Sequence, residues 1–341
     1  MGKKEDKPRQ SGIAFGEAKR NLQASKIIEQ LGEKFDDFSI REITDAVLQT
    51  ARDGEDIPGK EEILKKLFDK TMKEPHIWYV YNHVTQMPMS FVQLENNPNG
   101  YVAIHPGYFW IVTEEYKDMV SKEISASPDL ELKELLNAEF EDFFQDMFYI
   151  NGYGGIDFNY IGIQLAREPL VEEKKFDITK DVKDLVKNPI IMNRLISANQ
   201  YSFATAPLSD LEKTIQMMNI SALLDEISKP GTAFILPVLP LDKKTVELVG
   251  VDKKYVDDEN AQHFTFETIP TKNGREIIPL FTDWKKTANG AQFSACIPRM
   301  VTIADVIDRF DVGINLYGPR EQSCIITKEI WDSLKKQDME D

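Results

Sequence analysis

The sequence contains few of the residues that build covalent and metal sites. Among its 341 residues there are only two cysteines, Cys296 and Cys324, and four histidines. Two cysteines cannot form a disulfide framework, and without a CxxC pair they cannot supply a structural zinc site on their own. Both lie in apolar stretches of the sequence. We therefore expect two reduced, buried thiols.

Long hydrophobic runs are also missing. No stretch approaches the roughly 18 consecutive apolar residues that a membrane-spanning helix needs. The first ten residues, MGKKEDKPRQ, are polar and charged, and they lack the apolar stretch of a secretory signal. We therefore expect a cytoplasmic protein with no membrane partner.

Positive charge is in deficit. The chain has 41 basic and 57 acidic side chains, which gives a net charge of −16. An acidic protein repels the phosphate backbone of nucleic acids at long range, and the basic residues here are scattered. We expect no nucleic-acid partner, and the acidity fits solubility or a basic protein partner.

The common catalytic motifs are absent as well. There is no GxSxG, no HExxH and no Walker loop. The glycine-rich stretch 151–155 has a predicted helix before it and a predicted strand after it, which is the reverse of a dinucleotide-binding turn. We therefore expect no cofactor, no metal and no catalytic residue, and hence a protein that is not an enzyme.

Hydrophobic periodicity predicts a mixture of helices and strands. Apolar residues recur at helical spacing over 40–51, 130–148 and 300–310, while the stretch 156–165 is typical of a strand. Thr302 is a candidate helix cap, with Asp305 three residues later.

Two segments of the chain repeat one order of patterns. Each has a helix ending near a proline, an aromatic and aliphatic strand, an Asn-Gly turn, a further strand, a helix and a final strand led by glycine. This order matches residues 155–158 with 313–316, so that Asp157 stands against Asn315, and residues 105–108 with 279–282. Tandem duplication of one unit explains the order better than coincidence.

These patterns predict an α+β fold with two related mixed modules, largely antiparallel sheets and a helical connector between them. We expect a flexible tail over 1–22, a first module with N-terminal helices over 23–170, the connector over 171–220 and a second module over 221–341.

The second module, over roughly 233–330, resembles the N-terminal domain of the bacterial SseB, or "enhanced serine sensitivity", family. A strand ending in Pro-Leu-Phe-Thr-Asp-Trp is followed by a helix and a Gly-Ile-Asn-x-x-Gly stretch. The residues that carry the resemblance are Ile278, Pro279, Leu280, Phe281, Thr282, Asp283, Gly313, Ile314, Asn315 and Gly318. The family usually has proline after the asparagine, whereas Leu316 stands here.

The resemblance implies an α+β domain, often in tandem, and it implies no established reaction. We expect a non-catalytic adaptor that binds a protein partner or forms a homo-oligomer. The alternative is a sensor of small molecules such as amino acids, with a cleft between the modules. The candidate binding residues are Asp283, Trp284, Asn315 and Gly318, which the family arrangement brings close together.

Overall fold

The structure is a computed structural model that describes residues 23–52, 57–97, 100–159, 163–168, 170–174, 186–242, 245, 256, 258–272 and 274–337, with the backbone alone described at 92–97 and 100–106. The predicted tail over 1–22 lies outside these residues. None of the described helices is long and apolar enough to cross a bilayer.

Three helices begin the described chain: α1 (residues 23–34), α2 (Ile40–Arg52) and α3 (Lys60–Thr71). The helix predicted over 40–51 is confirmed. Ile40, Ile43 and Val47 lie on its buried face, because apolar residues three and four positions apart share one side of a helix.

The first sheet and its two helices follow. They are β1 (His76–Asn82), β2 (Met87–Pro88), β3 (Phe91–Asn97), β4 (Gly100–Val112), α4 (Lys117–Ile124), β5 (Leu130–Leu136), α5 (Phe140–Tyr149), β6 (Gly155–Phe158) and β7 (Ile163–Ala166). The central strand order is β5-β1-β4-β6-β7. The pair β4–β6 is parallel, and the other neighbours in this order are antiparallel.

Two predictions for this segment are wrong in part. The stretch 130–148 is not one helix, because residues Leu130–Leu136 pair with β1 along their whole length. Pairing with a strand overrides the helical propensity of its Leu, Glu and Lys residues. The stretch 156–165 contains two antiparallel strands, β6 and β7, rather than one.

The connector contains α6 (Pro189–Ser202) and α7 (Asp210–Ser228). Ser209 caps α7 and forms a reciprocal capping box with Glu212. Because α7 is one continuous helix, the predicted module boundary at 220/221 lies inside it. Helix α6 contacts both β4 of the first sheet and the 3-10 turn Arg320–Gln322 that precedes the last strand of the second.

The second set of strands and helices is β8 (Ala233–Pro240), β9 (Phe264–Thr265), β10 (Ile269–Pro270), β11 (Glu276–Leu280), α8 (Trp284–Thr287), β12 (Ile297–Thr302), α9 (Ile303–Val306), β13 (Asp311–Ile314), β14 (Cys324–Ile326) and α10 (Lys328–Gln337). Strand β12 pairs with β8, β11 pairs with β13, and β13 pairs with β14. A two-bond bridge between Ile235 and Phe281 connects β8 to β11. The order is therefore β12-β8-β11-β13-β14.

The helix predicted over 300–310 is also wrong in part, since the residues up to Thr302 belong to β12. The predicted cap is confirmed: Thr302 and Asp305 form a capping box at the start of α9. The helical spacing of Met300, Ile303 and Ile307 extends across a strand and a short helix, so periodicity alone cannot place the boundary.

The strands of the second module lie in two sheets that the Ile235–Phe281 bridge joins, and in that combined order they follow the strand order of the first sheet. Among the described strands, each module has one parallel strand pair, at the same place in this order. The fold is α+β with mixed, mostly antiparallel sheets. The residue-level match made from the sequence is wrong by two positions at 313–316 and by five positions at 279–282. The parallel registers set Asp157 against Gly313 and Asn159 against Asn315. Residues 110–113, rather than 105–108, correspond to 279–282. A common origin by tandem duplication stays a prediction.

One continuous apolar cluster joins both sheets. Helix α6 contributes Ile191, Met192, Leu195 and Ile196 to it, all at most 1% exposed. A helix that buries apolar residues against two sheets holds them together through the hydrophobic effect. The modules therefore share a core through the connector.

Candidate functional site

The asparagine after β13 holds the end of β11 in place. Asn315 has a φ of 54° and is 1% exposed, and its backbone N–H donates to the Leu280 carbonyl at 2.9 Å. Its side-chain Oδ1 accepts from the Thr282 backbone N–H at 3.1 Å. The contact ties the end of one parallel strand to the end of its neighbour, and we call it the Thr–Asn latch.

The first module contains the same latch. Asn159 has a φ of 56°, and its backbone N–H donates to the Ile111 carbonyl at 2.7 Å. Its Oδ1 accepts from the Thr113 N–H at 2.8 Å and from the Thr113 hydroxyl at 3.1 Å. Sequence reasoning missed this pair because it aligned the segments on glycine. The short strings Ile-Val-Thr and Leu-Phe-Thr, each with a later asparagine, are the signal that was available.

Asp283 follows the latch and begins α8. Its Oδ1 accepts from the Lys286 backbone N–H at 3.2 Å, and its Oδ2 accepts from the Thr282 hydroxyl at 3.1 Å. The residue is 3% exposed, and this burial raises the pKa of its carboxyl above the ordinary value, although Lys286 opposes the rise. Asp283 is thus a buried helix cap.

Lys286 connects the second module to the first. Its ammonium donates to Gln322 Oε1 at 3.0 Å and lies 3.4 Å from Asn151 Oδ1 of the first module. Gln322 in turn donates to the Thr85 carbonyl at 2.8 Å. Burial lowers the pKa of Lys286, and the Asp283 carboxylate opposes that change. These bonds join residues of the two modules; the sensor alternative, with its cleft between the modules, stays a prediction.

Trp284 packs beside a small second cluster of apolar side chains. The cluster consists of Val186, Ile235, Phe281 and Phe293. Asp283, Trp284 and Asn315 are therefore brought close together, as expected, and all three make contacts inside the protein. Their role as binding residues stays a prediction.

Gly318 donates its backbone N–H to the Asn315 carbonyl at 3.0 Å and borders a groove on the surface. The groove has a volume of about 380 Å³ and is bordered by Phe203, Leu316, Gly318, Arg320, Ser323, Cys324 and Ile325. The Arg320 guanidinium lies over the Phe203 ring, 4.6 Å from its centre. Most of this lining was not singled out from the sequence, because Phe203 in the connector meets residues 316–325 only in the tertiary structure.

The groove lies next to the edge strand β14. Successive residues of a strand point their backbone N–H and C=O groups to opposite sides. The Asn315 N–H points to β11, so the backbone groups of Ile314 and Val312 point to β14, where they pair with Cys324 and Ile326. The N–H and C=O of Ile325 therefore point away from the sheet. In the part of the chain that the structure describes, β14 ends its sheet. The Ile325 side chain is 46% exposed.

The cysteines are both free. Burial raises the pKa of the Cys324 thiol to about 12 and also raises that of Cys296. A high pKa keeps a thiol protonated and weakly nucleophilic at neutral pH. Across the described ranges, no group of three or more His, Cys, Asp or Glu side chains is placed to hold a metal ion.

Comparison with known proteins found no match: no family model, curated protein or solved structure is similar to this chain. The resemblance to the SseB family therefore stays a prediction from short motifs. In the structure, the Thr282 and Asn315 of those motifs form the latch, and Gly318 borders the groove.

Proposed function

We propose that the chain is a non-catalytic, SseB-like adaptor that binds a protein partner at the edge of its second module. In this proposal, the backbone of an extended segment of the partner pairs with Ile325, and its side chains enter the neighbouring groove. The observation that carries the proposal is the outward-pointing N–H and C=O of Ile325 beside that groove.

The physical basis is the behaviour of sheet edges. An unpaired strand edge offers hydrogen bonds to any extended chain, and adjacent pockets give the pairing its sequence preference. A half-exposed isoleucine beside a groove of about 380 Å³ offers apolar area together with those bonds. Asn199 donates to the Ser323 carbonyl at 3.1 Å, so the part of the edge that can pair with a partner begins after Ser323.

The proposal includes a cytoplasmic location. The two cysteines of the chain are unpaired, and the reducing cytoplasm keeps thiols in that state.

The test uses a phage library of random 12-residue peptides, selected on the immobilised full chain. The central variant is Ile325→Pro, which removes the outward N–H. It should keep the β13–β14 hydrogen bonds, because proline is tolerated on the outer side of an edge strand. We expect enriched peptides to bind this variant about tenfold or more weakly, since a partner carbonyl loses its donor.

Two controls accompany it. Ile325→Val keeps the N–H and should retain binding. Gln164→Pro makes the same change on β7, at the position that corresponds to Ile325 in the first sheet, and should also retain binding. Far-ultraviolet circular dichroism and the melting temperature verify folding. The proposal is wrong if no peptide is enriched, or if enriched peptides bind the Ile325→Pro protein as tightly as the original.

A further inference from the structure

Arg320 stands out in the groove by its charge. Among the described residues that border the groove, it is the only ionisable side chain apart from the protonated Cys324 thiol. Within the described residues, no carboxylate forms an ion pair with it, although the chain as a whole has 57 acidic side chains. The next residue, Glu321, is half-buried and does not border the groove. The groove is thus locally cationic on an acidic protein.

The guanidinium is also held in position. The contact with the Phe203 ring restrains the guanidinium and leaves its N–H groups to bind an acceptor. A guanidinium presents these donors as a planar fork that matches a carboxylate, and a stacked one loses less side-chain entropy on binding. The arrangement suits a carboxylate better than a neutral acceptor.

The backbone around the groove indicates which carboxylate fits. The N–H groups of Gly318, Gln322 and Ser323 donate to the carbonyls of Asn315, Pro319 and Arg320. Chain-terminal carboxylates are usually captured by clusters of free backbone N–H groups, and these three are occupied. The Ile325 N–H is assigned to the backbone of the extended segment, so the donor left for a carboxylate is the Arg320 side chain, which suits an acid carried on a side chain.

We infer that the segment recognised at this edge is extended and apolar and carries one Asp or Glu side chain that binds Arg320. This inference rests on the proposed function, because it assigns a sequence preference to the same binding edge. Apolar side chains of the segment contact Ile325 and Leu316, and the carboxylate reaches the guanidinium over Phe203.

The test repeats the peptide selection on the full chain and on Arg320→Gln and Arg320→Glu. On the unchanged protein, we expect enrichment of Asp or Glu at one position of the selected peptides. Those peptides should bind Arg320→Gln about tenfold more weakly, because a charge-assisted bond is lost. Selection on Arg320→Glu should enrich Lys or Arg at that position.

The control Arg309→Gln changes the net charge by the same amount at an exposed residue outside the groove, and it should retain binding. The inference is overturned if peptides that need Ile325 show no acidic preference, or if Arg320→Glu binds them equally well. It is also overturned if amidation of the peptide C-terminus alone abolishes binding. In each of these cases the proposed function stands, whereas equal binding to Ile325→Pro removes both.

Discussion

The Thr–Asn latch makes a quantitative prediction about stability, tested by two substitutions of Asn315. Asn315→Gly removes the side-chain acceptor and keeps a residue that adopts a φ of 54° freely. Asn315→Ala removes the same acceptor and also forces a Cβ into the left-handed region. The difference between the two variants isolates the backbone term from the hydrogen-bond term.

The magnitude follows from the burial of the latch. Thr282 is 0% exposed, so losing the Asn315 acceptor leaves its N–H buried without a partner, which costs about 1–3 kcal/mol. The left-handed conformation adds about 1–2 kcal/mol for alanine. We therefore expect Asn315→Ala to be more destabilising than Asn315→Gly by about 1 kcal/mol or more.

The assay is urea denaturation of the full chain, followed by circular dichroism and tryptophan fluorescence. Asn159→Gly and Asn159→Ala repeat the experiment at the equivalent position of the first module and should give the same ranking. An Asn315→Gly protein within about 0.5 kcal/mol of the original would refute the role of the latch. Equal loss in the glycine and alanine variants would refute the backbone term.

Two further predictions concern glycine and cysteine positions. A Cβ on Gly152 (φ 73°) would lie 1.8 Å from the Pro189 carbonyl oxygen, whereas Gly274 (φ 89°) has open space around it. Gly152→Ala should therefore lower the melting temperature far more than Gly274→Ala. Equal shifts in the melting temperature would contradict this packing. In a Cys296→Ser protein, Cys324 should react with iodoacetamide at pH 8 at least about tenfold more slowly when native than in urea, because burial raises its pKa from 9.0 to about 12 and lowers its thiolate fraction. The unfolded thiol loses its proton first, so this group should lower the free energy of unfolding as pH rises from 9.0 to about 12; equal native and unfolded rates would contradict the assignment.

The sequence predicted one helix that packs through one face and one local cap. The helix over 40–51 and the Thr302–Asp305 capping box are both confirmed. These features depend on residues within one or two helical turns of each other, so they are encoded in a short stretch.

The sequence failed where a distant strand decided the conformation. Leu130–Leu136 has the composition of a helix, and it is a strand because β1, more than 45 residues earlier, pairs with it. Matching the two segments on Gly155 and Gly313 failed for a related reason. A Cβ at Gly155 would meet the Leu165 carbonyl oxygen at 2.0 Å, whereas a Cβ at Gly313 would meet the Leu316 side chain at 2.1 Å. A different neighbouring group therefore requires glycine at each of the two positions.

The candidate site was likewise predicted only in part. The sequence pointed to Asp283, Trp284, Asn315 and Gly318 as neighbours. The tertiary structure turned the first three inward and left Gly318 at the groove. The residues of the proposed binding edge, Phe203, Arg320 and Ile325, were not singled out.

By itself, the sequence determined the α+β class, the helix over 40–51 and the Thr302–Asp305 cap, because composition and short-range periodicity encode them. Only the tertiary structure decided which strands pair, where the two Thr–Asn latches lie and that Phe203 stacks under Arg320. Those contacts join residues far apart in the chain, and they stabilise the protein only when the intervening segments have packed.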